Sequence, residues 1–190
     1  MPLTLGQRRL RRLWRKGIGL PGDNARILGV ARRLTSSTDV VTLGGVAVIL
    51  HGYARTTIDL DLYTPDRKRT DLQLRAAGAR WDSTHREHVL DDVRIHTVTP
   101  EDARHVVQSV SIIDGIRVVS LKDLIAIKLI TGLREPARAK DIGDVQELIR
   151  VVPLDKTFAA RLPKALRADF KKMVDAVRAS ETRQRNRPRF

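Results

Sequence analysis

Residues 44–65 read GGVAVILHGYARTTIDLDLYTP, and the second half of this run sets the fold. From Ile58 to Tyr63 the apolar and polar residues alternate strictly, which predicts a strand. Asp59 and Asp61 then share one face, with Ile58, Leu60 and Leu62 on the other. Aspartate is disfavoured in strands, and two carboxylates side by side repel each other. Two readings stay open: the polar face of an edge strand, or a grip on a hard divalent cation such as Mg²⁺. Upstream, Gly44-Gly45 separates a predicted buried strand at Asp39–Leu43 from a short apolar helix, VAVILHGY. Paired glycines at such a junction are either a plain turn or a place where the backbone approaches a phosphate closely.

Working outward, Asp23 is a plausible N-cap for a helix carrying Ile27, Leu28, Val30, Ala31 and Leu34. A helix is predicted at 66–77, stopped by Gly78, followed by strands at Glu87–Leu90 and Val93–Val98 around the turn residues Asp91-Asp92. A hairpin spans Val110–Val119 and turns at Asp114-Gly115. Ser120 and Asp123 resemble a capping box, and helices are predicted at 121–132, 138–151 and 164–179. Strands mixed with helices, then a helical final third, give an α+β fold.

Two charges sit on apolar helix stripes. Lys128 falls in register with Leu121, Leu124 and Ile125, and Asp141 with Val145, Leu148 and Val152. An ammonium on that face must snorkel outward or meet a buried anion. A structural ion pair between the two and a functional site are both consistent with the pattern. Asp144 is rotated toward the edge of its stripe and is expected in solvent. His85-x-x-His88 has ligand-like spacing but is expected to be surface.

The chain has 190 residues, no cysteine and a formal charge of +14. Disulfide scaffolds, cysteine zinc ribbons and thiol nucleophiles are thereby excluded. No apolar run approaches the roughly 20 residues of a membrane helix, and no secretory signal opens the chain, so a soluble cytoplasmic protein without membrane association is expected. Residues 1–34 carry nine Arg/Lys against one acid, and residues 161–190 ten against three, whereas 35–160 hold 17 basic and 18 acidic residues. Cationic ends on a neutral body suit a polyanion, because each neutralised phosphate releases counterions. Aromatic residues make up only 4%, which argues against a base-stacking platform.

The run from Gly44 to Pro65 resembles the signature of the DNA polymerase β-type nucleotidyltransferase superfamily: glycine pair, short helix, Arg-x-Thr, then Asp-x-Asp on a strand. Within that superfamily it looks most like the AbiE-type abortive-infection toxins and MenT-like toxins, which continue with a single helical lysine and a basic-Asp motif. Here those match Lys128 in LIAIKLI and Asp141 in RAKDIGDV. The resemblance spans residues 24–150 and implies a mixed sheet with flanking helices. It divides the chain into a basic segment (1–22), an α/β core (23–119), a helical region completing the site (120–180) and a basic disordered tail (181–190).

Carried over residue by residue, it implies that Gly44 and Gly45 contact nucleotide phosphates and that Asp59 and Asp61 bind Mg²⁺. Lys128 neutralises phosphate, Asp141 orients the lysine or the acceptor, and Arg55 braces the motif or touches phosphate. The implied activity moves an NMP from an NTP to an acceptor. The basic ends favour RNA such as tRNA, and with it a toxin partnered by an antitoxin protein. One departure stands out: where many members place a third carboxylate, the strand VRIHTV offers His96. That leaves the general base unassigned and keeps an alternative open, a catalytically degenerate nucleotide- or RNA-binding module of the same fold.

Overall fold

A computed structural model describes residues 22–185, so the basic segment before Gly22 and the last five residues lie outside the described part. The chain opens with α1 (Gly22–Ser37), β1 (Val41–Thr42), α2 (Gly44–Leu50) and β2 (Asp59–Tyr63). It continues with α3 (Arg67–Ala76), β3 (Arg80–Asp82), β4 (Glu87–Leu90), β5 (Val93–Val98), α4 (Pro100–Ala103), β6 (Val110–Ile113) and β7 (Ile116–Val119). Helices α5 (Leu121–Arg134), α6 (Ala139–Val151) and α7 (Arg167–Arg185) complete it, linked by short 3₁₀ turns.

The strands form one mixed sheet in the order β3-β4-β5-β2-β1-β7-β6. At its centre β2 pairs parallel with β5 and antiparallel with β1. Leu60, Leu62 and Ile95 are completely buried. Burying a leucine contributes about 1.5–3 kcal/mol, and a slip of one residue would turn both leucines of β2 to the other face, so the register is strongly fixed. That register places Asp59 beside Arg94 and Asp61 beside His96, on the face away from the leucines. The turns expected at Asp91-Asp92 and Asp114-Gly115 have positive φ at both central residues, the conformation that matches the twist of a two-residue hairpin.

Several expectations are corrected. Strand β2 starts at Asp59, and Ile58, expected to point inward, is 69% exposed before it. The β1 pairing is confined to Val41–Thr42, although Val40 to Leu43 are all buried. Strand β3 is three residues long with two of them exposed, too short for alternation to reveal it. Helix α7 runs through Arg185, five residues into the segment expected to be a disordered tail, and its buried stripe of Phe170, Met173, Val174 and Val177 is what docks it. Among the described residues, no helix is long and apolar enough to cross a membrane.

Candidate functional site

Leucine burial on one face of β2 leaves Asp59 and Asp61 pointing into a cleft of about 390 Å³. Gly44, Asp59, Asp61 and His96 line one side, and Lys128, Thr131, Arg138 and Asp141 line the other. The structure thus brings together Gly44, Asp59, Asp61, Lys128 and Asp141. Gly45 and Arg55 stand behind this wall rather than in it.

The glycine turn is pressed directly against the acids. Gly44 has φ +58°, and a Cβ on it would lie 1.7 Å from Asp61 Oδ2. Only glycine fits there, both for conformation and for space. A Cβ on Gly45 would meet Thr57 Oγ1 at 2.4 Å and Arg55 Nη2 at 2.9 Å. The backbone N–H of Leu43 donates to the Asp61 carbonyl (2.9 Å), tying the turn to β2.

The Arg-x-Thr step now has a physical account. Arg55 Nε lies 3.2 Å from Asp144 Oδ1, which is bracing rather than exposure to the cleft. Thr57 Oγ1 donates to Asp59 Oδ1 (3.2 Å) and so orients the first aspartate. The loop carrying both is held by Asn24 of α1, completely buried, whose amide donates to the Arg55 carbonyl (2.7 Å) and accepts from Thr57 N–H (3.0 Å).

Across the cleft, Lys128 is 5% exposed and its Nζ lies between Asp141 Oδ1 (2.6 Å) and Asp144 Oδ2 (2.8 Å). Asp141 Oδ2 also accepts from Thr131 Oγ1 (2.8 Å) and Arg138 Nε (2.9 Å). Burial pushes the Asp141 carboxyl up, but Lys128, Thr131 and Arg138 together outweigh it and hold it below its ordinary value. Asp144, expected in solvent, is instead 3% exposed and joins Lys128 to Arg55. It is the residue of the site that sequence reasoning misplaced. Three cations and two carboxylates interlock here, leaving an excess positive charge beside the cleft.

His96 occupies the position beside Asp61. Its Nδ1 lies 3.6 Å from Asp61 Oδ1 and 3.8 Å from Asp59 Oδ2, and its Nε2 lies 2.7 Å from Glu87 Oε2. Asp61, then Glu87 and Asp59, raise the imidazole to about 9 against the opposing pull of burial. Glu87, 4% exposed on β4, carried no sequence signal.

The residues His85 and His88 diverge. His85 binds Asp82, whereas His88 is buried against Trp81, so it is not the surface residue expected. Asp82, His85 and Glu87 do bring ligand atoms within 4.8 Å of one another. Asp82 is already engaged, Oδ1 by the N–H groups of Thr84 and His85 and Oδ2 by the His85 ring, so this cluster closes the β3–β4 turn.

The donor set on β2 and β5 fits a divalent ion. Two carboxylates share a face without a lysine or arginine within ion-pair distance, and each is about a quarter to a third exposed. Of the charged side chains, only His96 approaches both.

No known family pattern and no curated protein matches this sequence. Solved structures do match in shape. A crystal structure from H. pylori carrying a provisional nucleotidyltransferase assignment aligns with a TM-score of 0.52 at 17% identity, covering 81% of this chain and 77% of that one. The solution structure of the antibiotic-resistance factor ANT(2'')-Ia aligns with a TM-score of 0.51 at 16% identity, covering 85% of this chain and 99% of that one. The fold is that of nucleotidyltransferases.

Proposed function

We propose that the chain is a metal-dependent nucleotidyltransferase. The observation that carries this reading is the single cleft that sets Asp59 and Asp61 of β2 opposite a buried lysine of α5, on this fold. Asp59 and Asp61 would hold a divalent cation, Mg²⁺ in the first instance. Such an ion supplies positive charge that draws an NTP into place and offsets the charge developing on its phosphates.

The chain's own residues do the rest. Gly44 permits close backbone approach beside Asp61, and Thr57 keeps Asp59 turned toward the cleft. Lys128 presents its ammonium to the phosphates, and Asp141 and Asp144 fix its position. An acceptor oxygen forms a bond to the α-phosphorus as the bond to the bridging oxygen breaks. The NMP is transferred, pyrophosphate leaves and one proton is released to solvent. Asp141 is poorly suited as the base, because three donors hold its carboxylate in the ionised form. Its part is to hold the lysine.

The acceptor we propose is RNA, with tRNA the first candidate. The excess charge of residues 161–190 supports this: Arg167, Lys171, Lys172 and Arg183 are exposed on α7. The AbiE-type and MenT-like assignment, the toxin role and an antitoxin partner belong to this same reading and rest on the sequence resemblance. Incubation of the purified chain with each of the four labelled NTPs, Mg²⁺ or Mn²⁺ and total tRNA tests it. Label should appear on RNA; label on protein fractions instead would replace the acceptor. Nucleotide binding without any transfer would favour the degenerate module, for which His96 in place of a third carboxylate is the supporting feature.

A further inference from the structure

Beyond the aspartate pair, β5 contributes a nitrogen donor to the same face. The β2–β5 register sets Asp61 directly beside His96, so their side chains emerge together into the cleft. His96 Nδ1 stands 3.6 Å and 3.8 Å from one oxygen of each aspartate. Donors sharing one ion through bonds of about 2.1 Å lie roughly 3.0–4.2 Å apart, so these separations suit a common ion.

The other ring nitrogen is already committed. Nε2 lies 2.7 Å from Oε2 of Glu87, a carboxylate 4% exposed on the adjoining strand β4. The next cation near Glu87 is Arg94 at 4.0 Å, so His96 is its principal partner. A buried carboxylate accepting from one imidazole nitrogen fixes the ring plane and the tautomer, and turns the opposite nitrogen toward the aspartates. Histidine ligands of protein-bound metals are held in the same way.

We infer that His96 is a direct ligand of the divalent ion held by Asp59 and Asp61, with Glu87 as its positioning residue, and that the site therefore favours Mn²⁺ over Mg²⁺. The inference rests on the metal reading of the aspartate pair proposed above. The chemistry follows from donor softness: Mg²⁺ demands oxygen ligands and octahedral geometry, whereas Mn²⁺ accepts imidazole alongside carboxylate. The neighbouring cluster of Asp82, His85 and Glu87 shares Glu87 but not this face, because Asp82 is spent on its own turn.

The test uses the full chain loaded with Mn²⁺ alone, read by electron spin-echo modulation from bound nitrogen and by Mn²⁺ titration with Mg²⁺ as competitor. Circular dichroism confirms that each variant is folded. The expected result is nitrogen modulation that His96→Ala abolishes and His85→Ala leaves intact. Glu87→Gln should weaken Mn²⁺ about 10–100-fold, the range for losing an outer-shell partner. His96→Asp should bind an ion again, with preference moved toward Mg²⁺. Modulation that survives His96→Ala overturns the inference. So does its absence from a wild-type chain whose Mn²⁺ affinity still depends on Asp59 and Asp61, because His96 is then only a charge partner of the acids. If Asp59→Asn with Asp61→Asn leaves Mn²⁺ affinity unchanged, the metal reading fails as well, a result distinguishable from the previous two.

Discussion

The two sides of the cleft carry charge in opposite ways. On the β2–β5 side, Asp59, Asp61 and His96 are each about a quarter to two-fifths exposed, and neither aspartate meets a lysine or arginine within ion-pair distance. On the helical side, Lys128, Asp141 and Asp144 are under 10% exposed and satisfy one another at 2.6–2.8 Å, with Arg55 and Arg138 closing the ends. The first side is left for a ligand to complete; the second is already complete within the chain. Removing a charge from the first should cost function and spare the fold. Removing one from the second should cost both, because a buried ion left alone has no solvent to turn to.

The sharpest way to break this contrast is on the strand. Asp59→Asn with Asp61→Asn should lower NMP transfer by about 10³-fold, while stability in urea stays within about 0.5 kcal/mol of wild type. A large fall in stability would mean the acids are structural. On the helical side, Lys128→Met and Asp144→Asn should each cost about 3–5 kcal/mol in the same titration and lose transfer as well. If Asp144→Asn is neutral, the interlocked charges do not position the lysine. Gly44→Ala strains a positive φ and drives a methyl into Asp61, so about 1–3 kcal/mol of stability should go together with divalent-ion affinity. Calorimetric ion binding on the folded variant separates the two effects.

The smallest effect is on pH. The folded Asp141 carboxyl lies below its ordinary value of 3.8, so its contribution is complete above that value and fades as pH falls through the folded one. Wild type should therefore lose stability on acidification below about pH 4. Asp141→Asn, weaker at neutral pH, should show a flatter acid limb.

Much of the first side was legible because a strand writes its faces with period two. Leu60 and Leu62 had to be buried, and Asp59 and Asp61 followed. Lys128 and Asp141 were legible as charges on apolar helical stripes. Asp144 was not, because the buried arc of α6 is wider than the stripe drawn through Asp141, Val145 and Leu148. Nor were Asn24 and Glu87, whose partners lie on other elements: a buried amide clamping a loop 31 residues away leaves no local period to read. The end of α7 was misjudged for a related reason. Its polar sequence suggests a loose tail, yet residues such as Glu181, Arg183 and Gln184 are good helix formers once Phe170 to Val177 have docked the helix.

The central claim meets its most direct test in one paired measurement. Wild type and the Asp59→Asn, Asp61→Asn variant, both shown folded by urea titration, are incubated with labelled NTPs, tRNA and divalent ion, and the label transferred is quantified. The account predicts transfer by wild type and loss of about 10³-fold in an equally stable variant. Equal transfer by the two, or none by wild type under Mg²⁺ or Mn²⁺, would contradict it.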